Sequence, residues 1–219
     1  LPLGISFFTL QAIGCAVDVY RETCPVPQSA VHFCLFISFF GFISSGPITR
    51  AGSFLPQLQT PRRFDADRAV SGLVLMAQGL LAKVCVADLL AILANGVWGN
   101  VRAYSGPVLA VGALAYTFQL YFDFSGYSML AQGCARVLGL ELPQNFNTPY
   151  FSRSIKEFWR RWHMSLSAWL RDYVYIPLGG NRKGTARKYI NLLATFAVSG
   201  LWHGTGLTFL IWGLLHGLY

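Results

Sequence analysis

His203 is the side chain in this sequence best suited to acid–base chemistry. An imidazole changes charge near neutral pH. His203 stands in Ser199-Gly200-Leu201-Trp202-His203-Gly204-Thr205-Gly206, where small residues allow close helix approach or leave room for a substrate. A second histidine, His163, sits in Trp162-His163-Met164-Ser165. His32 opens an apolar run and His216 lies in the last one, so both read as structural. Asp123, in Tyr121-Phe122-Asp123-Phe124-Ser125, is a carboxylate among aromatics and needs a partner or a proton. It could orient a histidine, pair with an arginine or bind an ion. Lys83 and Asp88 read as a structural pair.

Other chemistries leave no trace. There is no HExxH, the histidines are too dispersed for a helix-borne metal pair, and no metal site is expected. Neither a GxSxG elbow nor a P-loop occurs, and Gly179-Gly180-Asn181 resembles a turn more than a phosphate cradle. The five cysteines show no CxxC spacing and read as small buried hydrophobes.

The elements that must position these residues are apolar. Only 12% of the residues are charged and 54% are hydrophobic, against about 25% charged in an ordinary soluble domain. A bilayer core needs roughly 20 mostly apolar residues per helix. Candidate spans are Ile5–Val19, Val31–Ile48, Ala69–Val97, Pro107–Leu130 and Ile190–Tyr219, the last being one tilted helix, one broken helix or two short segments. Leu1 is not an initiator Met and the chain stops inside an apolar segment, so a longer parent protein is expected, with 1–219 as one partial membrane-embedded unit.

Residues 150–189 carry nine basic side chains against Glu157 and Asp172, which is +7 of the formal +8. This marks a cytoplasmic face within a basic interfacial segment, 142–189, and places the Arg50–Arg68 loop on the same side. The basic residues interleave with Trp and Leu between spans, which suits anionic lipid and argues against nucleic acid. In Ser154–Tyr173 the residues Ile155, Phe158, Trp159, Trp162, Leu166, Trp169, Leu170 and Tyr173 recur at helical spacing. The period predicts one amphipathic helix in the membrane interface, N-capped by Ser154 with Glu157 closing a capping box. His163 falls at the border of its stripe. From its basic edge at Lys188, a continuous helix would carry His203 roughly 20 Å into the bilayer, a depth at which polar groups usually mark function.

Phe158-Trp159-Arg160-Arg161-Trp162-His163-Met164-Ser165-Leu166-Ser167, Leu170-Arg171-Asp172-Tyr173 and Ile176-Pro177-Leu178-Gly179-Gly180-Asn181-Arg182 resemble the signature of the membrane-bound O-acyltransferases, most closely the bacterial alginate O-acetylation type. Gly46-Pro47-Ile48-Thr49-Arg50, Tyr121–Ser128 and Ser199–Gly204 agree, in the same order. The resemblance implies an all-α polytopic membrane bundle around a tunnel. By it, His203 matches the family's invariant histidine and His163 a second one at the cytoplasmic mouth. It also implies a multi-pass protein of the bacterial inner membrane, with no bound cofactor. Acetyl-CoA or another acyl thioester would be the donor, and a polysaccharide or a periplasmic acyltransferase partner the acceptor.

On that reading His203 is the general base, and Arg160, Arg161, Arg182 and Lys183 attract the donor's phosphates. Asp123, Asn181 and Trp202 complete the candidate donor- or substrate-binding set. The Ile176–Arg182 motif favours the acetylating type over the D-alanyl-transferring one. Met129 stands where the family commonly has Asp, and Leu207 where an aromatic is expected. An ion-coupled transporter using Asp123 and His203 is the alternative.

Overall fold

A computed structural model describes residues 4–41 and 45–219, and it is all-helical, with no strand among them. The first helix, α1 (Ile5–Tyr20), is followed by two short ones, α2 (Ala30–Ser38) and α3 (Ala51–Gln59). The expected span Val31–Ile48 does not form as one helix. After Ser38, Phe39 is extended (φ −60°, ψ 122°) and the chain turns toward the buried Pro47-Ile48-Thr49, with residues 42–44 outside those described. An apolar run signals burial as readily as it signals a crossing, and nine helical residues are too few to cross.

Two long helices form the membrane-scale part. The first runs from Ala66 to Gly99 as α4 (Ala66–Leu80), a wider π segment at Leu81–Ala87, and α5 (Asp88–Gly99). Asp65 starts it, its carboxylate accepting the Arg68 N–H at 3.0 Å. The second, α6 (Gly106–Val137), extends seven residues beyond its expected end. At 34 and 32 residues, both exceed the roughly 20 needed to cross. A soluble core helix is mostly buried, yet only 17% of the most apolar window of each is covered within this chain. The uncovered faces carry Val70, Leu73, Val74, Ile92, Val111 and Leu114, side chains matched to lipid.

The two helices are antiparallel and meet along a seam of glycines. A Cβ on Gly79 would lie 2.6 Å from the Gly126 carbonyl oxygen, and one on Gly72 2.7 Å from that of Gly133. Without side chains there the backbones pack directly, as lipid-embedded helices require in place of a hydrophobic drive.

The remaining elements follow the basic segment. They are α7 (Ile155–Arg161), α8 (Met164–Leu170) with a π turn at Arg171–Tyr175, α9 (Gly184–His203) and α10 (Leu207–Leu218). The last apolar run is thus two segments in a hairpin: Gly204–Gly206 ends α9, and α10 returns along it, Gly213 against Gly200 and Gly217 against Leu193. Two clusters bind the assembly. Cys15, Phe36, Phe54 and Leu55 pack with Ala135 and Leu140 at the end of α6. Leu10 and Ile48 pack with Leu166, Trp169 and Leu170. The two basic stretches meet: Arg50 pairs with Asp172 at 2.9 Å, and Gln57 exchanges hydrogen bonds with the Glu141 backbone. That contact agrees with placing both on one side of the membrane.

Candidate active site

The interfacial stretch folds differently from the single amphipathic helix expected of it. Ser154 does cap α7, its Oγ accepting the Glu157 N–H at 3.1 Å. The Glu157 carboxylate reaches back to the Arg153 N–H, one residue before the usual capping-box target. The helix then stops at Trp162, which is extended, and His163 takes a left-handed conformation (φ 41°) before α8 begins. Outside glycine this conformation is uncommon, and it concentrates at functional sites.

Residues 145–147 make the break possible. The Met164 N–H donates to the Asn145 carbonyl at 2.9 Å and the Asn147 N–H to the Arg161 carbonyl at 2.9 Å. Backbone groups freed by the broken helix are therefore paired from outside it. The Trp-rich stripe faces protein rather than headgroups. Trp169 donates to the Leu10 carbonyl at 2.9 Å, Tyr173 to Asp18 at 2.6 Å, and Trp162 stacks on Phe158 beside Phe146 and Tyr121.

The turn drives His163 inward until it is 3% exposed. Its Nδ1 lies 3.0 Å from Asn145 Oδ1, while Nε2 is buried with no partner among the described residues. Burial, and second the neighbouring His203, push its pKa down to about 3, so the ring is neutral. Phe124 meets it edge-on at 4.7 Å.

His203, the last residue of α9, comes near His163 through Trp202. The Trp202 ring is 6.2 Å from His163 and 4.9 Å from His203, and its Nε1 is fixed by the Ser6 carbonyl at 3.2 Å. The row continues past His203: Trp212 is 5.0 Å from it, His216 4.5 Å from Trp212, and Trp159 5.2 Å from His216. Between Lys188 and His203 the helix is unbroken, as the depth argument required.

The other expected site residues lie apart from this row. Asp123 binds Lys83 at 2.6 Å, and Lys83 also binds Asp88 at 2.6 Å, so the three form one cluster across α6, the π segment and the start of α5. Arg161 is held by Glu157 and Thr148. Arg160, Arg182 and Asn181 are exposed, the Asn181 side chain accepting the Tyr175 hydroxyl. A surface cleft of about 730 Å³ near Arg62, Arg63 and Arg68 contains none of these residues.

A family model described as the membrane-bound O-acyltransferase family matches residues 24–219. The chain belongs to the membrane-bound O-acyltransferase family. Among curated relatives of this acyltransferase-family chain, the "Probable alginate O-acetylase" of Pseudomonas aeruginosa is 45% identical over 219 residues, all of this chain and 42% of the relative. The peptidoglycan O-acetyltransferase of Helicobacter pylori is 39% identical, covering 100% of this chain and 46% of the relative. The teichoic acid D-alanyltransferase of Bacillus subtilis is 34% identical, covering 99% and 57%. The chain spans about half the length of the curated relatives it matches.

Within this family member, sequence reasoning missed Asn145 and the Ser128 and Ser165 hydroxyls around it. His216, read as structural, shares a ring row with His203. Pro143 and Pro149 bracket the Asn145 stretch and signal extended backbone, whose polar groups must find partners elsewhere. His216 and His203 are joined only by the α9–α10 hairpin, which the apolar run does not reveal.

Proposed function

We propose that the full-length protein is a multi-pass O-acetyltransferase of the bacterial inner membrane. It moves an acetyl group from a cytoplasmic thioester, acetyl-CoA or a carrier-bound equivalent, to hydroxyls of an exported or cell-surface polysaccharide, directly or through a periplasmic partner. The observation that carries this reading is the His163–Trp202–His203 cluster, two imidazoles brought together from the interfacial turn and a membrane helix. Higher identity to the O-acetylating relatives than to the D-alanyltransferase supports acetyl as the group.

In the reaction, His203 takes the proton of an acceptor hydroxyl as its oxygen attacks the thioester carbonyl. The new C–O bond forms, the C–S bond breaks, and the proton passes from His203 to the departing thiolate. General-base catalysis of this kind contributes about 10²–10⁴-fold. The exposed Arg160, Arg182 and Lys183 draw the anionic donor to the cytoplasmic face. An ion relay between Asp123 and His203 is less favoured, because Asp123 is ion-paired to Lys83 and no described contact joins it to His203.

The test is acyl transfer from radiolabelled acetyl-CoA in membranes containing the full-length protein, beside its His203→Ala variant at equal abundance. Label appearing with the parent and lost by at least a hundredfold in the variant is expected. Equal labelling would move the chemistry away from His203, and absence of label in both would reject acetyl-CoA as donor.

A further inference from the structure

The polar network around His163 has only one consistent set of donors and acceptors. A backbone N–H can only donate, and the Ser165 N–H faces Asn145 Oδ1 at 3.3 Å, so that atom is the amide oxygen. His163 Nδ1 faces the same oxygen at 3.0 Å and must therefore carry the ring proton. The Ser165 hydroxyl accepts the Ile48 N–H at 2.9 Å and gives its own proton to Asn145 Oδ1, also at 2.9 Å. The Asn145 amide nitrogen donates to Ser128 Oγ at 3.2 Å, which holds the group from the α6 side. Asn145 itself is 1% exposed.

We propose that Asn145 is a positioning residue that locks His163 as the Nδ1–H tautomer and so presents its buried Nε2 lone pair, unpartnered among the described residues, as an acceptor for a substrate N–H or O–H other than the proton that His203 removes. This rests on the acyltransferase reading for the identity of that substrate group, but not for the tautomer. A neutral ring fits the surroundings. Phe124 from α6, Phe146 from the 145–147 stretch and Trp202 from α9 pack against it, and His203 is the titratable neighbour whose charge it senses. A buried nitrogen left without a partner is costly and needs an explanation. Substrate supplies one: the lone pair is free because a donor group of the bound substrate, distinct from the hydroxyl that His203 deprotonates, is to occupy it. Residues that set a tautomer without touching substrate carry large effects, about 10⁴-fold in the serine-protease triad.

The experiment uses the full-length protein, solubilised and labelled with ¹⁵N-histidine, with His163 assigned by difference from a His163→Gln variant. Nitrogen NMR at neutral pH should show protonated-type Nδ1 and bare Nε2 in the parent and in Asn145→Asp, and a mixed or reversed tautomer in Asn145→Leu. In parallel, acetyl transfer from radiolabelled acetyl-CoA should fall about 10²–10⁴-fold in Asn145→Leu. In Asn145→Asp it should persist, with the acid limb of its pH profile moved up by about one unit or more, because a carboxylate beside the ring favours the imidazolium. An Nε2–H or charged ring in the parent, or an unchanged tautomer in Asn145→Leu, overturns the proposal whatever the transfer assay gives. The expected spectra with no transfer in the parent would uphold the positioning role and reject the acetyl-CoA reading alone.

Discussion

Adding one methyl group at Gly79 tests whether the glycine seam holds the two long helices together. A Cβ there would stand 2.6 Å from the Gly126 carbonyl oxygen and 3.0 Å from the Leu130 nitrogen, where ordinary contact begins at 3.4 Å. Both atoms are backbone, so no side chain can swing aside and the helices must part by about 0.8 Å. A gap of that size forfeits roughly a quarter to a half of each dispersion contact it opens. Overpacking of this kind costs about 1–3 kcal/mol, offset by about 0.5–1 kcal/mol from the better helix propensity of Ala. The net loss is up to about 2.5 kcal/mol, so Gly79→Ala should lower the melting temperature of the purified full-length protein by a few degrees, up to about 5 °C. Gly96, on the same long helix, has open space around its Cβ position and serves as control. Gly96→Ala should be neutral or slightly stabilising. Tryptophan fluorescence during a thermal ramp reads both variants. A Gly79→Ala protein as stable as the parent, or a Gly96→Ala protein equally weakened, would refute the seam.

Acidification should destabilise the fold through His163. Its folded pKa of about 3 lies below the ordinary 6.5, so as pH falls below 6.5 the unfolded chain takes up a proton that the native site refuses. Stability is then lost at up to about 1.4 kcal/mol per pH unit down to about pH 3. Melting curves from pH 7 to 4 should show this slope in the parent and a shallower one in His163→Gln; identical slopes would contradict the burial. Lys83→Met should weaken the membrane hairpin more than Asp88→Asn, because it leaves the Asp88 and Asp123 carboxylates facing each other without a cation. Adding Asp123→Asn to Lys83→Met should restore melting temperature and membrane abundance, and a parent-like single variant would show that the cluster is inert.

The sequence was informative where a single physical rule governs a whole segment. Length and apolarity found α1, the α4–α5 span and α6 to within a few residues at most ends, because crossing a bilayer constrains every residue of a helix alike. The same rule failed at Val31–Ile48, where the helix ends at Ser38 and Phe36, with the partly buried Phe33, Ile37 and Phe39, packs on α3 and α6 while Val31, Leu35 and Phe40 stay exposed. Periodicity identified the helical character of Ser154–Tyr173 and its cap, but not the break at Trp162-His163. That break depends on hydrogen bonds from Asn145 and Asn147, residues outside the periodic segment. The apolar helix that ends at His203 was legible in the sequence. The polarity of the network around His163 was not, since it arises from Ile48, Ser128, Asn145 and Ser165, which meet only in three dimensions.

The attachments of α1 also set an order of events in time. Its end partners are Asp172 and Tyr173, its middle is fastened by Trp169, and its first turn accepts Trp202, at sequence separations of 151 to 196 residues. A ribosome adding about 5–20 residues per second delivers the nearest of these partners roughly 8–30 s after α1 has been made. For that interval α1 has its packing on α2 and α3 through Cys15 and Val19, while the Asp18 carboxylate and the Arg21 guanidinium lack their partners. The docking of α1 onto the Trp169–Tyr173 segment is therefore a later step than its packing on α2 and α3, and it is complete only once Trp202 has been made.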